Sequence, residues 1–501
     1  MTGMSDENAQ QTVTIVGQPV ETGAKERKFF GQPWPLVHIF GVETWERFSW
    51  YGMQAILLYY MYYTVAQGGL GIPQSTAAGI MGAYAGSVYL STIVAAWISD
   101  RVLGAERTLF FSAVVVALGH VAMAVLPSGS GLVVGLILIA LGSGGVKANA
   151  SAIVGKLYTP DDPRRDAGFS LYYLGINLGG FLGPLLTGWL QVSYGFHIAF
   201  GAAAVGMTIG LIQYWLGRKG LPEVTKHVPN PVGRGRLVAY GAVGLAVVGG
   251  IILLIALGVL DLDELPMTVT VVSSLAAVAL FAVILSSPKI TTTERSRVWA
   301  FVPLFIVSVG IWSVYLLSFT LIAEYGSDRT NLDVFGWSVP PAWVQSINPV
   351  FILILASAFA ALWTKLGRRQ PNTLVKWVLG FAAVGLGYLL FLPFVNTGAH
   401  GTPFLAVVGI VFVWTVGELL FSPTGLSLTT KLSPSAFTSQ MFALYFLSLA
   451  VGGAISGTLA QLYNEQNETP YFLAIGVGTL VLAVVTLAIT PWVLRLMKGV
   501  R

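Results

Sequence analysis

Runs of about 20 apolar residues recur from residue 36 almost to the end of this 501-residue chain. A helix of that length spans the hydrocarbon of a bilayer. In lipid the backbone must bond to itself, so repeated apolar runs of this length dictate an all-α polytopic fold. Fourteen spans are read, at residues 36–64, 76–99, 108–126, 130–157, 166–190, 194–216, 237–260, 267–286, 298–324, 342–366, 373–396, 402–431, 436–463 and 468–497, the third being borderline in length. Only 10% of the residues are charged, against about 25% in a soluble protein. The charges also alternate from loop to loop. Of the 27 Lys and Arg, Arg47 and Lys147 fall within spans and Arg329 in a loop facing away from the N-terminus; the others lie on the N-terminal side. Asp261, Asp263, Glu264, Glu465 and Glu468 make the opposite side acidic. By the positive-inside rule this places both termini in the cytoplasm and the chain in the cell membrane. The net charge of +5 therefore points to the membrane and not to nucleic acid.

The absence of cysteine excludes disulfides, thiolate metal sites and cysteine nucleophiles. His38, His120, His197, His227 and His400 show no metal-ligand spacing. No convergent nucleophile, base and metal set is visible, so an enzyme is not expected, nor is any cofactor. Residues 1–35 read as a polar cytoplasmic tail without the apolar core of a signal peptide, and 498–501 as a short second tail.

Two segments repeat. Gly142 to Leu157 reads GSGGVKANASAIVGKL and Gly417 to Leu432 reads GELLFSPTGLSLTTKL. Phe169 to Gly180 and Phe442 to Gly453 share F-x-L-Y-x-L-x-x-x-x-G-G at nearly the same offset. Two matches in order imply a duplicated six-helix unit, at residues 36–216 and 298–497. Six is even, so both copies enter from one side, a parallel repeat. Residues 217–297 hold a basic linker and two further spans, a hairpin expected to pack outside the core.

Charges deep in the bilayer cost a few kcal/mol each and face cavities or partners. Those here are Glu43, Glu46 and Arg47 in the first span, Lys147 in the fourth and Glu418 in the twelfth. At 3.6 residues per turn, Glu43, Glu46, Arg47, Trp50, Tyr51 and Gln54 share one helix face. Two carboxylates beside one guanidinium leave an excess negative charge that a proton could remove; a static ion cluster is the plainer alternative, but buried pairs barely repay their desolvation. Gly142, Gly144 and Gly145 allow close helix approach just before Lys147. Lys147 there needs a carboxylate partner or an anionic ligand. Glu418 precedes Ser422, Pro423 and Gly425, which weaken its helix and suggest a hinge; it could bind a cation or satisfy freed backbone donors. Asn177 and Asn348 are single amides suited to helix–helix hydrogen bonds or to a ligand. Trp50, Tyr51, Tyr89, Trp312 and Tyr445 could line a pocket or serve as packing.

These residues resemble the proton-dependent oligopeptide transporter family of the major facilitator superfamily. Glu43 to Gly52 matches its E-x-x-E-R-F-x-Y-Y-G signature, with Trp50 in place of the first Tyr. Arg164-Arg165-Asp166-Ala167-Gly168-Phe169-Ser170 with Ile176-Asn177-Leu178-Gly179 is a second similar block, and Gly417-Glu418, Ser422-Pro423 and Gly425-Leu426-Ser427 a third. Asp100-Arg101-x-x-Gly104 is similar to the superfamily's widespread gate motif. The resemblance implies a major facilitator fold of two six-helix bundles plus two inserted central helices. It implies proton-coupled import of di- and tripeptides by alternating access, driven by the proton gradient. Glu43, Glu46, Arg47 and Lys147 would couple protons. Arg47 and Lys147 would meet a peptide's carboxylate, and Asn177, Asn348 and Glu418 its amino end. Tyr51, Tyr89, Trp312 and Tyr445, with Trp50 and Gln54 on the same stripe, would shape the pocket.

The sequence departs from that family at two places. Gln54 stands where peptide-transporting members commonly have a second Arg, and Trp312-Ser313-Val314-Tyr315-Leu316 lacks their acid. Losing one cation and one anion together preserves the charge balance of the cavity. Ala148 also stands where the family often has Pro. Without the acid near Leu316, Glu43 or Glu46 is the expected partner of Lys147 in the empty state. The alternative to peptide transport is proton-coupled transport of a non-peptide solute, an amino-acid conjugate or a small anion.

Overall fold

A helix satisfies its own backbone bonds, so in lipid it needs only an apolar surface and sufficient length. Among the described residues, twelve helices meet both conditions. The computed structural model describes residues 28–500 except 160, 161, 163, 230, 234, 237–240, 243, 245–248, 251, 252 and 254–260. Most of the expected seventh span and most of the N-terminal tail therefore lie outside the described residues. The first six spans are helices Leu36–Tyr62, Gln74–Ile98, Ala105–Val125, Ser128–Lys156, Arg165–Tyr194 and Phe196–Gly217. The eighth to fourteenth are Leu265–Ser286, Thr292–Asp328, Ile347–Leu366, Thr373–Leu389, Phe404–Leu432, Thr438–Gln461 and Glu468–Leu496. The third, borderline by sequence, has 21 residues. The first has 27 residues but is too polar to count among the twelve. It is instead buried along most of its length by protein.

The helix pairs repeat. In the first half the first span packs on the fifth and sixth, the third on the fourth and sixth, and the second on the fourth. In the second half the ninth packs on the thirteenth and fourteenth, the eleventh on the twelfth and fourteenth, and the tenth on the twelfth. Each pair is the other shifted by eight spans, so these are two copies of one six-helix bundle. The halves meet through the second and thirteenth spans and, symmetrically, the fifth and tenth. The eighth span lies against the second and thirteenth, outside both bundles.

The repeated Gly-Gly pairs explain the duplicated motif. A Cβ on Gly179 would meet the Arg47 side chain and the Phe48 backbone, and one on Gly452 would meet Trp312 and Ser313. The first glycine of each pair thus seats the first helix of its own bundle. The second reaches the other bundle: Gly180 lies against Tyr51 of its own bundle and Pro349 of the other, and Gly453 against the backbone of Gly86. Without a hydrophobic drive between helices in lipid, such close backbone approach supplies the packing that holds them.

Two readings of the sequence change at the ninth span. The helix runs to Asp328, beyond the expected end at 324, and starts earlier, at Thr292. Thr291 and Glu294 form a capping box at its start. At its far end Asp328 accepts hydrogen bonds from the other half of the protein and so sits at an interface and not in a solvated loop, with Glu324 buried one turn before it. Arg329, read as a loop residue, is buried against Glu468 at the start of the fourteenth span, Nε–Oε1 2.9 Å and Nη2–Oε2 2.8 Å. The twelfth helix passes through Pro423 without a break.

Candidate functional site

The polar stripe of the first span is held by glycines opposite it. Gly175, Gly179 and Gly183 of the fifth span bring its backbone against Thr44, Arg47 and Phe48, and Gly206 and Gly210 of the sixth receive Trp45 and Phe48. Thr187 Oγ1 donates to the Gly52 carbonyl at 2.8 Å, fixing the helix beyond the stripe. Glu43, Glu46, Arg47, Trp50 and Gln54 are buried, and Tyr51 is half-buried.

Arg47 Nε lies 2.9 Å from Glu43 Oε1 and 3.0 Å from Glu46 Oε2. A guanidinium Nε carries one hydrogen, and here it points to Glu43. Glu46 therefore feels the charge of Arg47 at short range, with the Ser143 hydroxyl as a nearby side-chain donor. Glu46 is 0% exposed, so protein groups and not water must balance its charge.

Lys147 does not meet either carboxylate as an ion pair among the described residues. Its Nζ lies 5.0 Å from the centroid of the Trp50 ring and 4.6 Å from that of Tyr89. The physical reason is that Arg47 already stands between Glu43 and Glu46, leaving the lysine to two aromatic faces. Such contacts are worth about 0.5–2 kcal/mol each. Its place is set by the glycines before it: Gly142 abuts Ser112 and Val116 of the third span, and Gly144 abuts Ser91 and Thr92 of the second. The fourth helix continues unbroken through Ala148.

On the other half, Asn348 Nδ2 donates to Glu418 Oε2 and to Thr415 Oγ1, each at 3.0 Å. Glu418 is half-buried. Tyr315 stands beside it, its buried hydroxyl within hydrogen-bonding reach of the Glu418 carboxyl. Trp312 packs against Tyr315 and Phe421 at 5.9 and 5.2 Å between ring centroids. Tyr445 is buried against Gly425 and neighbours Trp312 and Tyr89. Tyr51 and Tyr89 lie within electrostatic reach of both Arg47 and Glu418. The structure thus brings the cations of the first half and the acid of the second to a shared aromatic wall. Asn177 differs: its Nδ2 donates to the Tyr173 carbonyl one turn earlier at 2.9 Å, the bland role for an intrahelical amide. Gln54 Oε1 is buried without a partner. Leu316 joins the apolar packing of the second half.

Sequence reasoning passed over Tyr173 and Tyr315, both neighbours of Glu418. Both lie near motif residues, but proximity to an acid more than a hundred residues away in the chain carries no local signal. Chemically the site offers positive charge at one end, an acceptor at the other and aromatic surface between them. No group of His, Cys, Asp and Glu among the described residues could hold a metal.

The sequence profile described as the POT family matches residues 106–477. An uncharacterized transporter of Bacillus subtilis (strain 168), YclF, is 40% identical over 490 residues, 97% of this chain and 99% of that one. A di-/tripeptide transporter of Lactococcus lactis subsp. cremoris is 38% identical over 490 residues, 95% of this chain and 99% of its own. Among solved structures, a peptide transporter POT in complex with sulfate superposes with a TM-score of 0.89 at 44% identity, covering 95% of this chain and 98% of that chain.

Proposed function

This chain belongs to the POT family, and within it we propose a proton-coupled symporter that imports di- and tripeptides. The observation that carries the reading is the division of charge between the two bundles. Arg47 and Lys147 stand on the first, Glu418 with Asn348 on the second, and Tyr51 and Tyr89 are within reach of both poles. A zwitterionic peptide satisfies both poles only when the halves close around it. Its binding energy therefore favours the occluded arrangement over either open one, as alternating access requires.

The proton step follows from the Arg47 cluster. With Glu43 and Glu46 both ionised, the guanidinium is held between the two carboxylates. A proton on Glu46 removes the charge that competes with the ligand, and Arg47 turns to the peptide carboxylate together with Lys147. Release of that proton toward the cytoplasm returns Arg47 to its carboxylates and expels the ligand. Glu418 and Asn348 receive the ammonium end. Gln54 Oε1, buried and unpartnered, offers an acceptor to a ligand N–H where a second Arg would have offered a donor. Asn177, Trp50, Trp312 and Tyr445 shape the cavity. The moving halves are residues 36–216 and 298–497, with 217–297 as an insert, and both termini face the cytoplasm of a cell whose plasma membrane holds the protein. Neither metal nor organic cofactor enters this cycle.

The test is uptake of labelled dialanine into proteoliposomes under an inward proton gradient, with and without a protonophore. Protonophore-sensitive accumulation is expected. Glu46→Gln should lose accumulation while keeping counterflow exchange, and robust accumulation by that variant would remove Glu46 from the proton path.

A further inference from the structure

On the face opposite the termini the two halves are joined by a set of hydrogen bonds. Tyr59 Oη donates to the Ala323 carbonyl at 2.8 Å, and Tyr63 Oη and Ser327 Oγ lie 3.3 Å apart. Tyr62 Oη and Gln74 Nε2 both donate to Asp328, at 3.4 and 3.1 Å. Beneath them lies a group of acids from the second half. Glu324 stands one turn before Asp328, on the same helix face. Glu465, just before the fourteenth helix, has its carboxyl within hydrogen-bonding reach of that of Asp328. Glu468 completes the group.

Four carboxyls here meet one cation. Arg329 is the only Lys or Arg that the sequence places in a loop on this side. It is used by Glu468, which also accepts from Tyr463 Oη at 2.7 Å. His400 bonds only backbone, through Nδ1 to the Thr330 carbonyl at 3.3 Å and its own N–H to that of Asp328. The hydroxyl of Tyr471, near Glu324, donates to the Leu459 carbonyl. Glu324, Asp328 and Glu465 thus have no ion-pair partner among the described residues. Asp328 has two donors from the other half. Glu324 is 4% exposed; the Gln74 amide also lies within hydrogen-bonding reach of its carboxyl, while its Oε2 has no partner. A carboxylate in that position would be desolvated, unpaired and beside further acids, which is untenable unless it holds a proton.

We propose that Glu324, placed beside Asp328 and Glu465, forms a second proton-binding site, separate from the Arg47 cluster, that latches the two halves together on the face opposite the termini. Protonated, Glu324 tolerates burial beneath Tyr59, Tyr62 and Gln74. Ionised, it gains hydration only if the halves part. The closed arrangement therefore binds protons more tightly than the open one, and by linkage protons favour closure. The sign is definite: acid on that face closes the latch, and rising pH opens it. Because the acids are covered by the first half and not carried through the membrane, the latch gates closure without adding to the protons moved per cycle.

The test needs no transported ligand, so it stands apart from the peptide reading. The chain has no cysteine, and spin labels at Val65→Cys and Leu462→Cys occupy exposed positions on the two halves at this face. Pulsed electron–electron distance measurements in nanodiscs follow the short-distance population as pH is raised. It should fall in the otherwise native protein, and Glu324→Gln should hold it high with the pH dependence removed. Glu46→Gln should leave the titration in place. An unchanged midpoint in Glu324→Gln would overturn the proposal, as would loss of the titration in Glu46→Gln or a response to added sodium or calcium at fixed pH. Should Glu324→Gln fail to fold, Asp328→Asn is read in the same way, with a shifted or abolished titration expected and an unchanged one refuting.

Discussion

Gly457 lies on the thirteenth span where the halves meet, and its replacement by alanine tests that contact directly. A Cβ there would lie 2.8 Å from the Gly79 carbonyl oxygen and 3.0 Å from Gly82 Cα. Ordinary contact begins at 3.4 Å, so the methyl is about 0.6 Å too close to backbone, which has no rotamer to yield. Overpacking of this kind costs about 1–3 kcal/mol. Alanine also favours the helix over glycine by about 1 kcal/mol, but it does so in both access states and cancels from their ratio. The clash exists only while this face is closed. The open population should therefore rise about 5- to 150-fold. A cysteine at Ala323, which is fully buried in the closed arrangement, reports that population through its alkylation by a membrane-impermeant maleimide. The alkylation rate in the Gly457→Ala background should rise by the same factor over the Ala323→Cys parent. A rate that is unchanged or lower would refute the assignment of the glycine seam to the closing contact.

Two further expectations concern single residues. Lys147→Ala, which deletes a cation packed between Trp50 and Tyr89, should abolish gradient-driven accumulation, and an uptake whose pH dependence matches the native protein's would exclude Lys147 from coupling. Arg329→Ala leaves Glu468 buried without its partner and should destabilise the protein by about 3–5 kcal/mol, seen as a lowered thermal midpoint in detergent, with Glu468→Gln in the same background restoring part of the loss.

Much of the fold is legible in the chain because the bilayer imposes it. Span length and the side preference of Lys and Arg are set by lipid and by insertion, so both can be counted without knowing any contact. The stripe from Glu43 to Gln54 is legible for the same reason, since charge in hydrocarbon is conspicuous. What stays hidden is set by tertiary geometry. Nothing near Lys147 in sequence indicates that two rings, and not a carboxylate, receive it. Arg329 and Glu468 each look like loop charges, and only their meeting across the fold makes them a buried pair. Glu324 reads as the last residue of an ordinary span. Its isolation depends on Tyr59, Tyr62 and Gln74 arriving from the other half.

The polarity of the first helix has a consequence for biogenesis. Each charge at the centre of an inserting helix opposes partition by about 2.5–3.5 kcal/mol, and this helix carries three. The residues that make them tolerable stand on later helices: Gly179 and Gly183 that seat the stripe, and the fourth span beside it. The ribosome delivers the first helix before any of them. It must therefore be retained near the translocon, or lie at the interface, until the fourth to sixth helices emerge. Its stable insertion is then an assembly step of the whole bundle, and a substitution in the fifth helix that displaces Gly179 would act on how the first one enters the membrane.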